Sequence, residues 1–431
     1  MMRKITRLFS VKAALLVAVL MLAFGVGTVG AQDLSGELEI FSWWAGDEGP
    51  ALEALIALYT TQNPGVEVIN ATVTGGSGVN ARAVLKTRML GGTPPDTFQV
   101  HAGEELTGTW VAAERMEDLT ALYADMGWNE AFPADLIEAL TVDGAIYSVP
   151  VNIHRSNVMW YNPAKIAEWG ISVPATWDEF LEACPAIQAN NVTPLVIGEA
   201  WTVNHLWESV ALGTLGVDGW NGIWTGATDP TGAEMVAVWD KFGAILDCSN
   251  LGADSAGLSW QQAIDQVVGG TAAFNIMGDW AAGYMTTTLG LTPGEGYGYA
   301  ASPDTEGTFM WLSDSFGLPV GAPNRDNTLA WLTVLGSVEG QNAFNPLKGS
   351  IPARADAVGA ASDMYNTYLQ AASEDWTSNR LVGSLAHGAA ANERFMGDFG
   401  TVMEVFLASR SSAAASSAMA AVCATSAACG A

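Results

Sequence analysis

Between Leu38 and Val100, short apolar runs alternate with stretches whose apolar residues recur at helical spacing, and this alternation narrows the architecture more than anything else in the chain. Leu38, Ile40, Phe41 and Trp43 form the first run. A helix is expected from near Pro50, because proline suits a first helical turn and Asp47 or Gly49 can cap it. Leu52, Leu55, Ile56 and Tyr59 then mark one helical face. Asn63-Pro64-Gly65 stops that helix, and residues 66–73 read as a second strand. Gly75-Gly76-Ser77-Gly78 leads into a helix running to Leu90, and residues 97–100 read as a third strand. Strand and helix in turn predict an α/β fold with a mostly parallel sheet and helices on its faces.

Farther along, 145–150 followed by 158–161 reads as a crossing into a second unit. Thr176 and Glu179 form a capping box at the head of a helix over 176–189, and a further helix is expected over 233–246. Second and third crossings are expected near 312–318 and 348–353, separated by a helix over 327–335. About 400 residues remain behind the leader described below, too many for one ordinary core, which suggests two domains. The stretch 411–431 is alanine and serine with little else and reads as a weakly ordered tail.

Residues 1–31 have the form of a secretory signal peptide. Arg3, Lys4, Arg7 and Lys12 supply the positive region, 13–24 the apolar core, and Val29-Gly30-Ala31 the small residues at the cleavage point. The apolar core is shorter than the roughly 20 residues a membrane span needs. A soluble product in the periplasm or outside the cell is therefore expected. The chain carries 17 basic and 45 acidic residues, and the four basic residues of the leader deepen the imbalance once removed. That balance argues against nucleic acid and anionic membrane surfaces as partners. Four cysteines in an exported chain invite disulfides. They permit three pairings, and the sequence alone does not choose among them; Cys184 with Cys248 is the preferred one, with Cys423 and Cys429 joined or free.

Tryptophan is the outlier of the composition, with 17 in the chain. Most must be core, but several stand where a strand meets a helix, the rim at which open α/β sheets hold ligands. Trp43 and Trp44 end the first apolar run, with Glu48 at the start of the next helix. Trp260 opens a helix behind Gly257-Leu258-Ser259. Trp280 follows Met277-Gly278-Asp279 at the end of a buried strand over 272–276. An indole stacks on the C–H face of a pyranose, while carboxylates, amides, histidine and lysine pair with the surrounding hydroxyls. Polar candidates at element ends are Glu48, Gln99, His101, Asp279, Asp314 and Lys348. The four histidines show no HxxxH spacing and no CxxC occurs, so neither a metal nor a cofactor is expected. His154, next to Arg155 in the first crossing, reads as structural. No complete dinucleotide fingerprint, P-loop or GxSxG elbow is present.

Trp43-Trp44 with Glu48, Phe98-Gln99-Val100-His101, Gly257-Leu258-Ser259-Trp260, 275–280 and Ser313-Asp314-Ser315 together carry a resemblance. The chain resembles family 1 extracellular solute-binding proteins of ABC sugar importers, from Leu38 to about Arg410. Within them it is similar to the branch that binds glucose, galactose or mannose in Thermus-type bacteria. The resemblance implies a two-lobed periplasmic-binding-protein fold with three interlobe crossings and a central ligand cleft. Its lobes would be 32–148 with 313–348, and 149–312 with 349–410. It implies sugar contacts from Trp44 (with Trp43 close by), Glu48, Gln99, His101, Trp260, Trp280, Asp314, Lys348 and His387. Cys184 and Cys248 match the family's single disulfide. The implied protein is a monomeric, non-catalytic receptor that passes a monosaccharide to the transmembrane subunits of a permease. The alternatives are a secreted glycosidase with Glu48 and Asp314 as acid and nucleophile, and the same fold holding a disaccharide, a polyol or a peptide.

Overall fold

The computed structural model describes residues 34–251, 257–357 and 362–430 of the chain. The expected signal peptide, 1–31, lies outside the described residues, and among those described no helix is long and apolar enough to cross a membrane.

The first sheet has the order Val66–Asn70, Gly36–Phe41, Thr97–His101, Asp314–Gly317, Ser148–Pro150. Its first three strands are parallel, in line with the strand–helix alternation, and Asp314–Gly317 runs antiparallel to both of its neighbours. Leu38 and Ile40 are buried while Glu37 faces out, the alternation expected of a pleated strand with one covered face. Thr97–His101 is buried along its whole length, as befits a central strand covered on both sides. The helix Gly49–Gln62 packs Ala51, Leu52, Leu55 and Tyr59 inward. The first strand is shorter than read: it stops at Phe41, and a single 3-10 turn, Gly46–Glu48, follows. Glu48 is the last residue of that turn and stands immediately ahead of the helix Gly49–Gln62, its carboxylate turned to Lys348.

The second sheet has the order Gly298–Ala301, Val158–Tyr161, Ala272–Ile276, Thr193–Leu195. Thr176 accepts from Glu179 N, and the Glu179 side chain answers, which is the capping box read from the sequence. Around this sheet lies an aromatic core in which Trp207 and Trp239 sit 5.2 Å apart and Trp239 and Phe406 4.9 Å apart. Trp128, Trp160, Trp177, Trp220 and Trp331 are likewise fully buried, so the structural expectation for most tryptophans holds. Cys184 and Cys248 are bonded, joining the helices Trp177–Ala189 and Ala233–Asp247.

A third sheet, not foreseen as such, is built at the crossings: Ile351–Pro352, Asn152–Arg155, Thr308–Leu312, Arg380–Gly383. Ser148–Pro150 of the first sheet leads through Asn152–Arg155 to Val158–Tyr161 of the second, and Thr308–Leu312 leads into Asp314–Gly317. The third crossing leaves the helix Val338–Lys348 and enters the third sheet at Ile351–Pro352. The fold is thus the two-lobed α/β architecture with three interlobe crossings and a central cleft.

The tail departs from expectation. Rather than being disordered, Ser412–Ser426 is a helix that lies along Glu393–Ser409 and buries Ala415, Met419, Val422 and Cys423. Ser411 caps it by accepting from Ala414 N, and Cys423 is bonded to Cys429. The physical reason is that alanine has the highest helix propensity of any residue. Small side chains also let two helices approach closely, so a composition poor in large apolar groups can still pack.

Candidate ligand-binding site

Between the lobes lies a cleft of about 430 Å³, within the range of small-molecule sites and toward its lower end. One wall comes from the carboxyl ends of the first sheet. Trp43 and Trp44 follow the first strand, His101 ends the third, and Asp314 sits opposite His101 in the antiparallel register. Glu48 and Asp47 come from the 3-10 turn, and Lys348 from the end of its helix. The facing wall is Ser259, Trp260 and Gln261 at a helix start, Trp280 at another, and Glu199 ahead of the long helix Ala200–Thr225. His154 and His387 close the floor.

Local geometry fixes the rings. Ser259 caps its helix by accepting from Gln262 N, which holds Trp260 at the first helical position. The Trp280 ring folds back over Gly278, where an added Cβ would lie 2.1 Å from it, so only glycine fits. Gly78, at φ +90°, leaves the room that Trp43 occupies; a Cβ there would come within 2.9 Å of the indole. Trp43 keeps 9% of its surface exposed and Trp44 only 1%, the latter packed on Phe344 and Phe316. Both tryptophans line the cleft, with Trp44 the more deeply seated.

Charges on the wall are paired. Lys348 Nζ donates to Glu48 Oε1 at 2.8 Å and to His154 Nε2 at 3.2 Å, and lies 5.9 Å from the ring centroids of both Trp44 and Trp280. Burial pushes the Glu48 carboxyl up against the pull of Lys348. Burial alone would lower the Lys348 ammonium, but Glu48 and Asp314 outweigh it and hold it above its ordinary value. Because Lys348 donates to His154 Nε2, the ring proton resides on Nδ1 and is donated to Asp279. Burial, helped by the Lys348 charge, drives His154 well below its ordinary range and keeps it neutral.

Two expected contacts stand one layer back. Gln99 does not line the cleft; its Nε2 donates to Asp314 Oδ1 at 2.7 Å and its Oε1 accepts from Trp43 N at 3.2 Å. Asp279 is fully buried and accepts from His154 Nδ1 and, at 3.0 Å, from Arg155 N. Both orient groups that do face the cleft. Asn152 adds to this layer by donating to Asp314 Oδ2 at 2.8 Å. The remaining expected residues, Trp43, Trp44, Glu48, His101, Trp260, Trp280, Asp314, Lys348 and His387, are brought together on one surface.

Sequence reasoning missed His154, Glu199, Gln261 and Asp47. Gln261 Nε2 donates to Asp47 Oδ1 at 3.0 Å, bridging the two lobes. Gln261 is next to Trp260, and its neighbourhood was the available signal. His205, Glu208 and His387 are buried with donor atoms within 4.8 Å of one another. These atoms already bond within the protein: His205 to His387 at 3.1 Å and to Ser156 O, and Glu208 to Ser384 and Ala386 N. Burial lowers His205 to about 4 and raises Glu208 to about 7. His205 directly, and Glu208 through Ser384 and Ala386, therefore support His387 from behind. A second cavity of about 260 Å³, lined by Arg82, Trp201 and Phe399 among others, meets the cleft at Gly76 and His387.

The cleft thus offers stacking faces, fixed acceptors and fixed donors. Residues 44–342 match the family model described as bacterial extracellular solute-binding protein. An uncharacterized ABC transporter extracellular-binding protein of Pyrococcus horikoshii is 34% identical over 385 residues, covering 87% of this chain and 84% of that one. A probable sugar-binding periplasmic protein of Brucella suis is 30% identical, covering 88% and 89%. Among solved structures, the bacterial solute receptor AcbH superposes with a TM-score of 0.79 at 17% identity, covering 91% and 99%. That last likeness is one of fold.

Proposed function

The chain belongs to the bacterial extracellular solute-binding proteins, a family of receptors and not of enzymes, and from that membership we propose that it captures a sugar for an ABC importer. The observation that carries the reading is the pairing of Trp260 and Trp280 on one wall with Trp43, Trp44 and the Glu48–Lys348 pair on the other. Indoles stack the apolar face of a pyranose ring, and the charged groups pair its hydroxyls. A site built to pair hydroxyls rejects ligands that lack them, since its own buried groups would be left unpaired. The probable sugar-binding relative in Brucella suis supports the same ligand class.

The ligand is a monosaccharide, glucose with galactose and mannose as the other candidates, a size that the lower-end volume of the cleft favours. Glu48, His101, Asp314, Lys348 and His387 contact its hydroxyls, Gln99 and Asp279 orient these contacts, and no cofactor takes part. The lobes are 32–148 with 313–348 and 149–312 with 349–410. Their closure buries the sugar and stabilises the form recognised by the transmembrane subunits of the permease. The protein acts as a monomer in the periplasm or outside the cell, exported by the leader at 1–31. Micromolar affinity requires about −8 kcal/mol, which a hexose of about twelve heavy atoms can supply at up to about −1.5 kcal/mol per atom.

Calorimetric titration with glucose tests the reading. Wild-type protein is expected to bind one equivalent. Trp260→Ala is expected to lose about 2 kcal/mol, or about thirtyfold in Kd. Normal binding by that variant would remove Trp260 from the site. A second reading, a disaccharide, draws on the cavity beyond Gly76 and His387, which could hold a second ring.

A further inference from the structure

Arg82 does not line the cleft. It sits on the helix Val79–Leu90, behind the wall formed by Trp43 and His101. Its guanidinium carbon lies 5.6 Å from the Trp43 ring centroid, and its Nη1 lies 3.7 Å from Glu105 Oε2. Glu105 is 1% exposed, and the same oxygen bonds His101 Nδ1 at 2.7 Å. The Trp43 and His101 rings are themselves 5.2 Å apart. One side chain thus touches the supports of two groups that face the ligand.

We infer that Arg82 is a positioning residue for the cleft: it braces the Trp43 ring and, through Glu105, holds the His101 imidazole with Nδ1 inward and Nε2 toward Asp314. His101 Nε2 lies 3.6 Å from Asp314 Oδ1 in this arrangement. The charge state of Glu105 agrees with the geometry. Burial alone would raise its carboxyl, but His101 and Arg82 outweigh burial and hold it below its ordinary value. It is therefore a carboxylate, which only accepts, and His101 Nδ1–H must be the donor. A protonated Glu105 would reverse that bond and move the ring proton to Nε2, inverting what His101 offers a hydroxyl. Other charged or titratable neighbours are His387, with its ring 5.8 Å from that of His101, and Glu393, which burial and the Glu105 charge raise to about 7. Gly78 belongs to the same device, since a Cβ there would lie 3.1 Å from Arg82 Nη1 as well as against Trp43.

The affinity arm of the test rests on the sugar reading above; the spectroscopic arm needs no ligand. Arg82→Met is expected to weaken glucose binding about tenfold. Arg82→Lys, which keeps the charge beside Glu105 but loses the planar stacking face, is expected to lose only about threefold. Glu105→Gln should weaken binding by a few fold, and the double variant Arg82→Met/Glu105→Gln should be only about threefold worse than Glu105→Gln alone, because the part of the Arg82 effect that runs through Glu105 is already lost and only the brace on the Trp43 ring remains to lose. In the long-range proton–nitrogen NMR spectrum of the ligand-free protein, with His101 assigned by His101→Gln, the wild-type ring is expected to be protonated at Nδ1, and Arg82→Met to shift it toward Nε2. An unchanged His101 signal in Arg82→Met, or fully additive losses in the double variant, would overturn the inference. Were wild-type protein to bind no hexose, the sugar reading would fall and the His101 signal would still decide the role of Arg82.

Discussion

Lys348→Met is expected to weaken ligand binding by at least about a hundredfold and to cost about 2–3 kcal/mol of folding stability. Lys348 is 4% exposed and its ammonium is shared by Glu48 and His154, with the rings of Trp44 and Trp280 each 5.9 Å away. It therefore ties the 3-10 turn of one lobe and the first crossing to the stacking wall of the other. Removing one partner of a fully buried pair costs about 3–5 kcal/mol. The Glu48 side chain keeps 23% of its surface in solvent, which places this pair below that range. The two losses separate in a double variant. Lys348→Met/Glu48→Gln leaves no stranded carboxylate, so stability measured by urea denaturation should largely return. Calorimetric affinity should not, because the ammonium is gone and a neutral amide replaces the charged hydroxyl acceptor. A Lys348→Met protein with wild-type affinity would exclude the lysine from the site.

Cys184→Ser/Cys248→Ser is expected to lower folding stability by about 4 kcal/mol, the chain-entropy value for a closed loop of this length. The bridge spans a sequence separation of 64, against 6 for Cys423–Cys429, whose removal should cost about 2 kcal/mol on the same basis. Neither pair lines the cleft, so glucose affinity at a temperature where both variants are folded should be unchanged. Urea denaturation of the two double variants checks the order. Equal or reversed losses would show that the long loop is not what the bridge restrains.

The ligand wall was legible because its residues sit at element ends, where a sequence announces them: tryptophans after a strand, at a helix start or after a glycine turn. Gln99 and Asp279 were read as polar groups at such ends, but Gln99 lies mid-strand in Thr97–His101 and the reach of both is set by pairing. Asp314 lies antiparallel beside the strand of Gln99, and Asp279 lies under the crossing strand Asn152–Arg155. Those are long-range registers, invisible to local periodicity. His154 was missed for the same reason. It lies mid-strand, and it meets the cleft only because the crossings assemble a third sheet. The tail was misread because low complexity was taken as low order, while alanine's helix propensity and close packing on Glu393–Ser409 dominate.

The most direct test is one calorimetric panel on the mature protein with glucose, galactose, mannose, xylose and maltose. The cleft between Trp43, Trp44, Trp260 and Trp280 predicts one equivalent of a hexose bound at micromolar Kd or tighter, with maltose much weaker. Tight maltose binding with no binding of any hexose would contradict a site made for a single ring.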